Sequence, residues 1–229
     1  MLDIEKQTAE AWTAYGAHHR ARGTDVPEAD RLAWGYWPYA GPGEEVLGDL
    51  TGLRVLDIGS GLGRFPAHLA RRGFQIDAVE ASPTQHARAL ARYAGEPPGL
   101  RLIREDAVDH LGRAVPYDVV YSIHGIPYID PHRLLPVLTR ALRRGGRFVF
   151  SGLHTNAEGD GPSSTVAPRQ ELLSLAGAEP VRVGMWVLTP TLWEDLLVEH
   201  GLLVDRIDVL TGADGDSPLS CTLIRAHRP

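Results

Sequence analysis

Asp57, Gly59, Gly61 and Gly63 stand at alternate positions, a carboxylate followed by three residues without side chains. That pattern suits a loop whose backbone N–H groups lie against a ligand at the start of a helix. The carboxylate before the turn would repel a pyrophosphate and attract a cation. A dinucleotide fingerprint asks for a glycine at the sixth place of the turn; that place is Arg64. Further along stand three acids, Glu80, Glu105 and Asp106, and two histidines, His124 and His154. An acid can accept from both hydroxyls of a cis-diol. A histidine can orient or deprotonate a nucleophile near neutral pH.

These residues need elements to hold them. Val55, Leu56 and Ile58 read as a strand buried on both faces, and residues 63–72 as the helix after the turn, capped by Gly73. Phe74–Val79 is the second strand and ends at Glu80. Ser82-Pro83 opens a helix to Gly95. Leu100–Arg104 is the third strand, and a short helix over 107–112 follows, for which Asp106 is a possible N-cap. Tyr117–Ile123 and Arg147–Ser151 are the fourth and fifth strands, separated by a helix that opens at Asp130-Pro131. Thr189-Pro190 starts a last helix capped by Gly201, and Leu202–Thr211 with Leu219–Ala226 form an antiparallel hairpin. Strands alternate with helices through the first five. The expected fold is therefore α/β, a doubly wound, seven-stranded, mainly parallel sheet with an antiparallel last strand. In such sheets ligands bind beyond the carboxyl ends of the strands, where Asp57, Glu80, Asp106 and His124 all fall.

The chain resembles the class I S-adenosylmethionine (SAM)-dependent methyltransferases, whose first motif has the form Asp57-x-Gly59-x-Gly61-x-Gly63. The likeness extends over about residues 34–226. It is specific around 54–82 and 104–108, and weaker at Arg-Arg-Gly-Gly-Arg-Phe-Val-Phe-Ser-Gly (143–152), where Arg144 replaces the family's proline. The resemblance implies a Rossmann-like methyltransferase fold and SAM as cofactor, with S-adenosylhomocysteine (SAH) as product. It implies that Gly59, Ser60, Gly61 and Gly63 line the ligand and that Asp57 sits near its amino end. Glu80 with Ala81 would take the ribose hydroxyls. Asp106 and Ala107 would meet the adenine, with Ser122 and Ile123 at the fourth strand's end. The rival for Asp106 is the helix cap alone.

The acceptor side is read from the residues around that site. His124 is the first candidate for a base or orienting group and His154 the second; each has a purely structural alternative. Trp34, Tyr36, Trp37 and Tyr39 crowd a Pro/Gly-rich stretch and either line an acceptor pocket or staple the N-terminal helix (residues 3–22) to the core. Tyr128, Met185 and Trp186 are further candidates for pocket walls, the last two equally for core. Residues 153–188 are too long for a plain connection. They hold a Gly/Pro/Ser tip, an expected helix at Arg169–Leu175 and a strand-like run at Val181–Leu188, and are expected to cover the substrate.

Composition narrows the function classes. With 229 residues the chain is one domain of 1–229: an N-terminal cap (1–48), a binding core (49–152), a lid (153–188) and a C-terminal helix and hairpin (189–229). A net charge of −6 gives no footprint for nucleic acid or an anionic membrane. The Asn/Asp-Pro-Pro-aromatic signature of the family's nucleic-acid members is missing after the fourth strand, where Ser-Ile-His-Gly-Ile-Pro-Tyr stands (122–128). Arg71–Arg72 and Arg143–Arg144 are read as helix-end arginines facing solvent. One cysteine, Cys221, leaves no disulfide or cysteine metal site, and no paired-histidine spacing indicates a metal. No membrane-length apolar run or leader pattern appears. The expectation is a cytoplasmic monomer or homodimer methylating a small molecule, such as a secondary metabolite, at O, N or C. The alternatives are a nicotinamide-dependent oxidoreductase and a non-catalytic SAM-binding partner subunit.

Overall fold

The computed structural model describes residues 3–37, 41–95, 97–212 and 217–229. The chain runs as helix α1 (Asp3–Ala21), β1 (Arg54–Ile58), α2 (Arg64–Arg71), β2 (Gln75–Glu80), α3 (Pro83–Tyr93), β3 (Leu100–Arg104), α4 (Ala107–Arg113), β4 (Tyr117–Ile123) and α5 (Pro131–Ala141). There follow β5 (Leu142–Thr155), β6 (Arg169–Leu175), β7 (Ala178–Met185), α6 (Pro190–Glu199), β8 (Leu203–Thr211) and β9 (Ser220–His227). One sheet has seven strands in the order β3-β2-β1-β4-β5-β9-β8. Its first five strands are parallel and its last two antiparallel. The doubly wound architecture expected from the sequence is the one found. The order reverses between β1 and β4, so their carboxyl ends open a crevice there.

Burial explains the arrangement. Val55, Leu56 and Ile58 of β1 are at most 1% exposed because helices cover both faces. One face packs Leu134, Leu135, Leu138, Trp193 and Leu197 against Phe148 and Phe150. The other packs Leu32, Trp34, Leu47 and Leu69 against Val55, Val119 and Tyr121. Three helices begin at the expected caps: Ser82, Asp130 and Thr189 each accept a first-turn N–H ahead of a proline.

The segment 153–188 differs from expectation. Residues 169–175 form strand β6 of a separate two-stranded sheet with β7, not a helix. Leu175 pairs with Ala178 across a two-residue turn in which Gly177 has φ +73°. That turn fixes antiparallel pairing, and the residues then alternate half-buried and exposed with period two. β5 also starts earlier than Arg147: it incorporates Arg143, Arg144 and the two glycines expected to precede it. Arg143 thus pairs with Asp118 from a strand, not from a helix end. Arg71 and Arg72 do lie at the end of α2 but reach Glu28 and Glu44.

α1 docks on two sides through small residues. Thr8 Oγ1 accepts from Gly184 N at 2.8 Å, and an added Cβ on Gly184 would lie 2.2 Å from Ile4. At the other end Thr84 Oγ1 donates to Thr13 O at 2.7 Å beside Gly16. Glu5 accepts from Asp130 N and pairs with Arg133. α1 and the β6–β7 hairpin thereby form a roof over the carboxyl ends of the strands.

Beneath it the loops after β1 and β4 touch. A Cβ on Gly125 would come within 2.5 Å of Ile58 O and 2.6 Å of Ser122 Oγ, both fixed by the sheet. Gly125→Ala should therefore lose about 2 kcal/mol or more of stability, whereas Gly161→Ala, with open space around its Cβ, should stay within about 0.5 kcal/mol. Urea denaturation of the two variants checks this; equal stabilities would show that the two loops can part freely.

Candidate active site

A cavity of about 1030 Å³ lies between the strand tips and the roof. The floor begins with the turn after β1. Gly59 and Ser60 both donate to Val79 O, at 2.9 and 3.1 Å, which folds the turn over the end of β2. Gly59 and Gly61 hold φ of +73° and +53°. At Gly59 a side chain would also meet Gly125 Cα at 3.0 Å, so only glycine lets the two loops approach. Glu80 stands at the tip of β2 and accepts from Gly61 N at 2.8 Å and Ser82 N at 2.7 Å. It fastens the glycine turn to the start of α3 and keeps a further lone pair on each oxygen. Burial raises its pKa, against the pull of those two N–H donors.

Asp57 is 3% exposed and still lines the cavity. Burial pushes its pKa up to about 8, the nearby Glu80 carboxylate adds to the rise, and the Tyr121 hydroxyl opposes it. No arginine or lysine pairs with it among the described residues. A cation entering here would find a carboxylate that gains from being charged.

Asp106 caps α4, its Oδ1 accepting from Val108 N at 2.9 Å and Asp109 N at 3.2 Å. With Ala107 it also lines the cavity, so the capping role and a ligand-facing place coexist. Ser60, Ala81 and Ile123 line it as well. Two residues expected there do not. Ser122 is fully buried and donates to Ile58 O at 2.7 Å, tying β4 to β1. Gly63 is the left-handed residue before α2, and its missing side chain makes room for Tyr93 and Ala89 of α3.

His124 lines the cavity at the end of β4 with φ +60°, the one described non-glycine residue at positive φ. Its ring stacks on Tyr36 with centroids 4.5 Å apart and planes 11° from parallel, and neither ring nitrogen has a described partner. Burial pushes its pKa down to about 4, partly offset by the Gly35 backbone, so the imidazole is neutral at physiological pH. His154 is elsewhere. On β5 the side chains alternate, so Leu153 faces the cavity while His154 turns to Thr155 Oγ1 and Ser220 Oγ at 3.1 and 3.3 Å.

The aromatic stretch divides in the same way. Tyr36 lines the cavity with Tyr128 and Met185. Trp34 is fully buried on the far face, donating to Gly43 O at 2.8 Å and meeting Tyr121 edge-on. Trp37 packs over Gly212, and Tyr39 lies outside the described residues. Trp186 is 2% exposed in the main core, its backbone N–H donating to Pro127 O. Trp186 takes the core place that the sequence left equally open, and Trp34 fills the core on the far face, so neither lines the cavity.

Several cavity residues were not foreseen. Glu5, Thr8 and Trp12 come from one stripe of α1, and Trp12 meets Tyr128 edge-on at 5.4 Å. Asn156 and Glu171 bond across the acceptor end at 3.3 Å, with Arg169 on Glu171 at 2.7 Å. The helical spacing of Glu5, Thr8 and Trp12 was a usable signal for α1. Nothing local marked Asn156, whose partner lies in the misread β6.

The site can be compared with known proteins. Residues 56–150 match the methyltransferase domain family. A ubiquinone biosynthesis O-methyltransferase of Leptothrix cholodnii is 28% identical over 142 residues, 60% of this chain and 55% of that protein. The chain spans about half the length of the curated relatives it matches. A solved structure described as a SAM-dependent methyltransferase from Listeria monocytogenes superposes with a TM-score of 0.64 at 19% identity, over 81% of this chain and 95% of that one. The cyclase SpnF gives 0.69 at 15% identity over 99% and 96%, a likeness of fold alone. The chain thus carries a methyltransferase domain at 56–150 on a seven-stranded sheet, and in fold it is similar to the class I SAM-dependent methyltransferases.

Proposed function

We propose that the protein transfers the methyl group of SAM to a small molecule held under the α1–hairpin roof. The observation that carries this reading is Asp57, a buried carboxylate without a cationic partner, beside a glycine turn and Glu80 at the strand tips. SAM is a cation at its sulfonium and its amine. The donor set fits it: Asp57 for the amine, the turn 59–61 for the methionyl chain, Glu80 for the ribose and Asp106 with Ala107 for the adenine. The Gly59–Gly125 contact leaves this floor no room for side chains where the ligand lies.

When bound, SAM supplies an electrophilic methyl group and a neutral thioether leaving group. The chain's own part is to align the acceptor, keep water out and take a proton where one is lost. Trp12, Tyr128, Leu153 and Met185 give the acceptor end an apolar wall, and Tyr36 closes it against His124. His124 receives the acceptor's hydrogen bond on a neutral ring nitrogen. Its proton affinity is low, so it orients the nucleophile and accepts the proton only as the methyl bond forms. We read the chain as one domain of 1–229 in which 153–188 closes over an acceptor. That acceptor is a small metabolite of secondary metabolism and not a nucleic acid. The protein would act in the cytoplasm as a monomer or homodimer; no helix among the described residues is long and apolar enough to cross a membrane.

Three measurements test this. Glu80→Gln should weaken SAM binding about tenfold or more in titration calorimetry while the far-ultraviolet circular dichroism is unchanged; unaltered affinity would remove the ribose assignment. His124→Ala should lower turnover by about a hundredfold or more with SAM affinity within about twofold, and His154→Ala should change neither; the reverse pattern would mean that the wrong histidine is assigned. With its pKa raised to about 8, Asp57 is mostly protonated at pH 7 and must ionise to meet a cation. SAM binding should then release up to one proton and tighten as pH rises from 6 to 8, levelling above. Calorimetry in two buffers of different ionisation heat reads the proton, and Asp57→Asn should abolish both effects.

A further inference from the structure

The roof end of the cavity is both acidic and aromatic. Glu158, Asp160 and Glu171 line it, with Glu5 of α1. The one arginine or lysine among the described lining residues is Arg64, at the start of α2 on the floor. Glu5 is balanced by Arg133. Glu171 is the fixed member: its side chain is 13% exposed, Oε1 accepting from Arg169 Nε at 2.7 Å and Oε2 from Asn156 Nδ2 at 3.3 Å. Arg169 is not a lining residue, and its terminal nitrogens are bonded to Gly161 O and Asp160 O. Each Glu171 oxygen keeps a lone pair for a ligand.

Aromatic rings share this end. Trp12, Tyr36 and Tyr128 line it, and Trp12 meets Tyr128 edge-on. Burial leads the rise in pKa of both tyrosines and the Glu171 charge adds to it, so the field of that carboxylate reaches the rings. A second observation points to a ligand here. His124 lines the same cavity with both ring nitrogens shut off from solvent and no described partner, a cost that an arriving polar group would relieve. A carboxylate beside aromatic faces suits an organic cation and repels an anion. A metal ion does not fit, because no group of three ligating side chains among the described residues could hold one. The charges of SAM are met on the floor by Asp57, which leaves the acids of the roof to the second substrate.

We propose that the acceptor is an organic amine bound as its ammonium ion, held by Glu171 and the rings of Trp12 and Tyr128 with its nucleophilic atom toward His124. This rests on the methyl-transfer reading above and names the class of molecule on which it acts. A held ammonium has no lone pair, so it anchors the molecule while a hydroxyl takes the methyl group. An oxygen lone pair forms the bond to the methyl carbon, the carbon–sulfur pair returns to sulfur as SAH leaves, and the hydroxyl proton passes to His124. Acceptors with a carboxylate or phosphate at the anchoring end are turned away by the same charges.

The test uses three probes that share one phenol and one short tail: tyramine ends in an ammonium, tyrosol in a hydroxyl and phloretate in a carboxylate. Ligand-observed NMR titration on the full chain, with and without SAH, reads their affinities. Tyramine should bind about tenfold or more tighter than tyrosol, and phloretate more weakly than either. The preference should shrink as salt rises. Glu171→Gln should bring tyramine within about twofold of tyrosol and leave tyrosol unchanged. Asp160→Asn should lower the preference about threefold, and it decides the matter if Glu171→Gln does not fold. Equal affinities in the wild type, tighter phloretate, no binding of tyramine, or a preference untouched by these substitutions each overturns the proposal. SAH binding without a preference for tyramine leaves the methyl-transfer reading standing, whereas the preference without SAH binding removes that reading and keeps the ammonium site.

Discussion

Two desolvated carboxylates, Asp57 and Glu80, sit side by side at the tips of adjacent parallel strands, and the site is built around that conflict. Burial raises both pKa values, and at Asp57 the Glu80 carboxylate adds to the rise. Glu80 is relieved in part by two backbone N–H groups, Asp57 by a single tyrosine hydroxyl. A fold selected for stability alone would place neither acid there. Their presence makes sense when a ligand brings compensating positive charge, and the free protein holds that cost in readiness.

The sheet makes this tolerable. Parallel strands β1, β2 and β4 fix the floor through registered backbone bonds, so Asp57 and Glu80 cannot drift apart to lower their energy. Loop contacts stiffen it further. The Ser122 hydroxyl bonded to Ile58 O ties the β1 and β4 ends together, and glycine at 59 and 125 lets their loops lie in contact. His124 follows directly on this clamp, and its left-handed backbone is the local consequence of turning the chain out of β4 within that space. Electrostatic frustration and backbone strain thus meet within a few residues of one another.

How much of this was legible in the sequence depended on the range of the interaction that decides each residue. The floor was legible because its signals are local: a carboxylate, spaced glycines, an acid at a strand end and Ser-Pro and Asp-Pro caps. The roof was not. Residues 169–175 carry leucines that suit a helix or a strand, and only the Ala176–Gly177 turn with its partner β7 selects the strand. Trp34, Trp186 and His154 stayed open between a place in the site and a structural one for a related reason. Residue type shows that an aromatic or imidazole ring is to be buried somewhere, while the direction in which it points is set by strand register and by neighbours far along the chain. Ser122 and Gly63 were assigned to the ligand but serve the junctions between elements, work that the same small residue types do equally well.

The Thr8–Gly184 hydrogen bond joins a helix at the beginning of the chain to a hairpin that follows the parallel core. Neither piece belongs to the seven-stranded sheet, so the ceiling can be rebuilt without disturbing the strand tips beneath it. Descendants of such a chain could exchange one acceptor for another through changes in α1 and β6 alone. Diversification would then fall on the two segments flanking the core, leaving the acid-and-glycine floor as the inherited part.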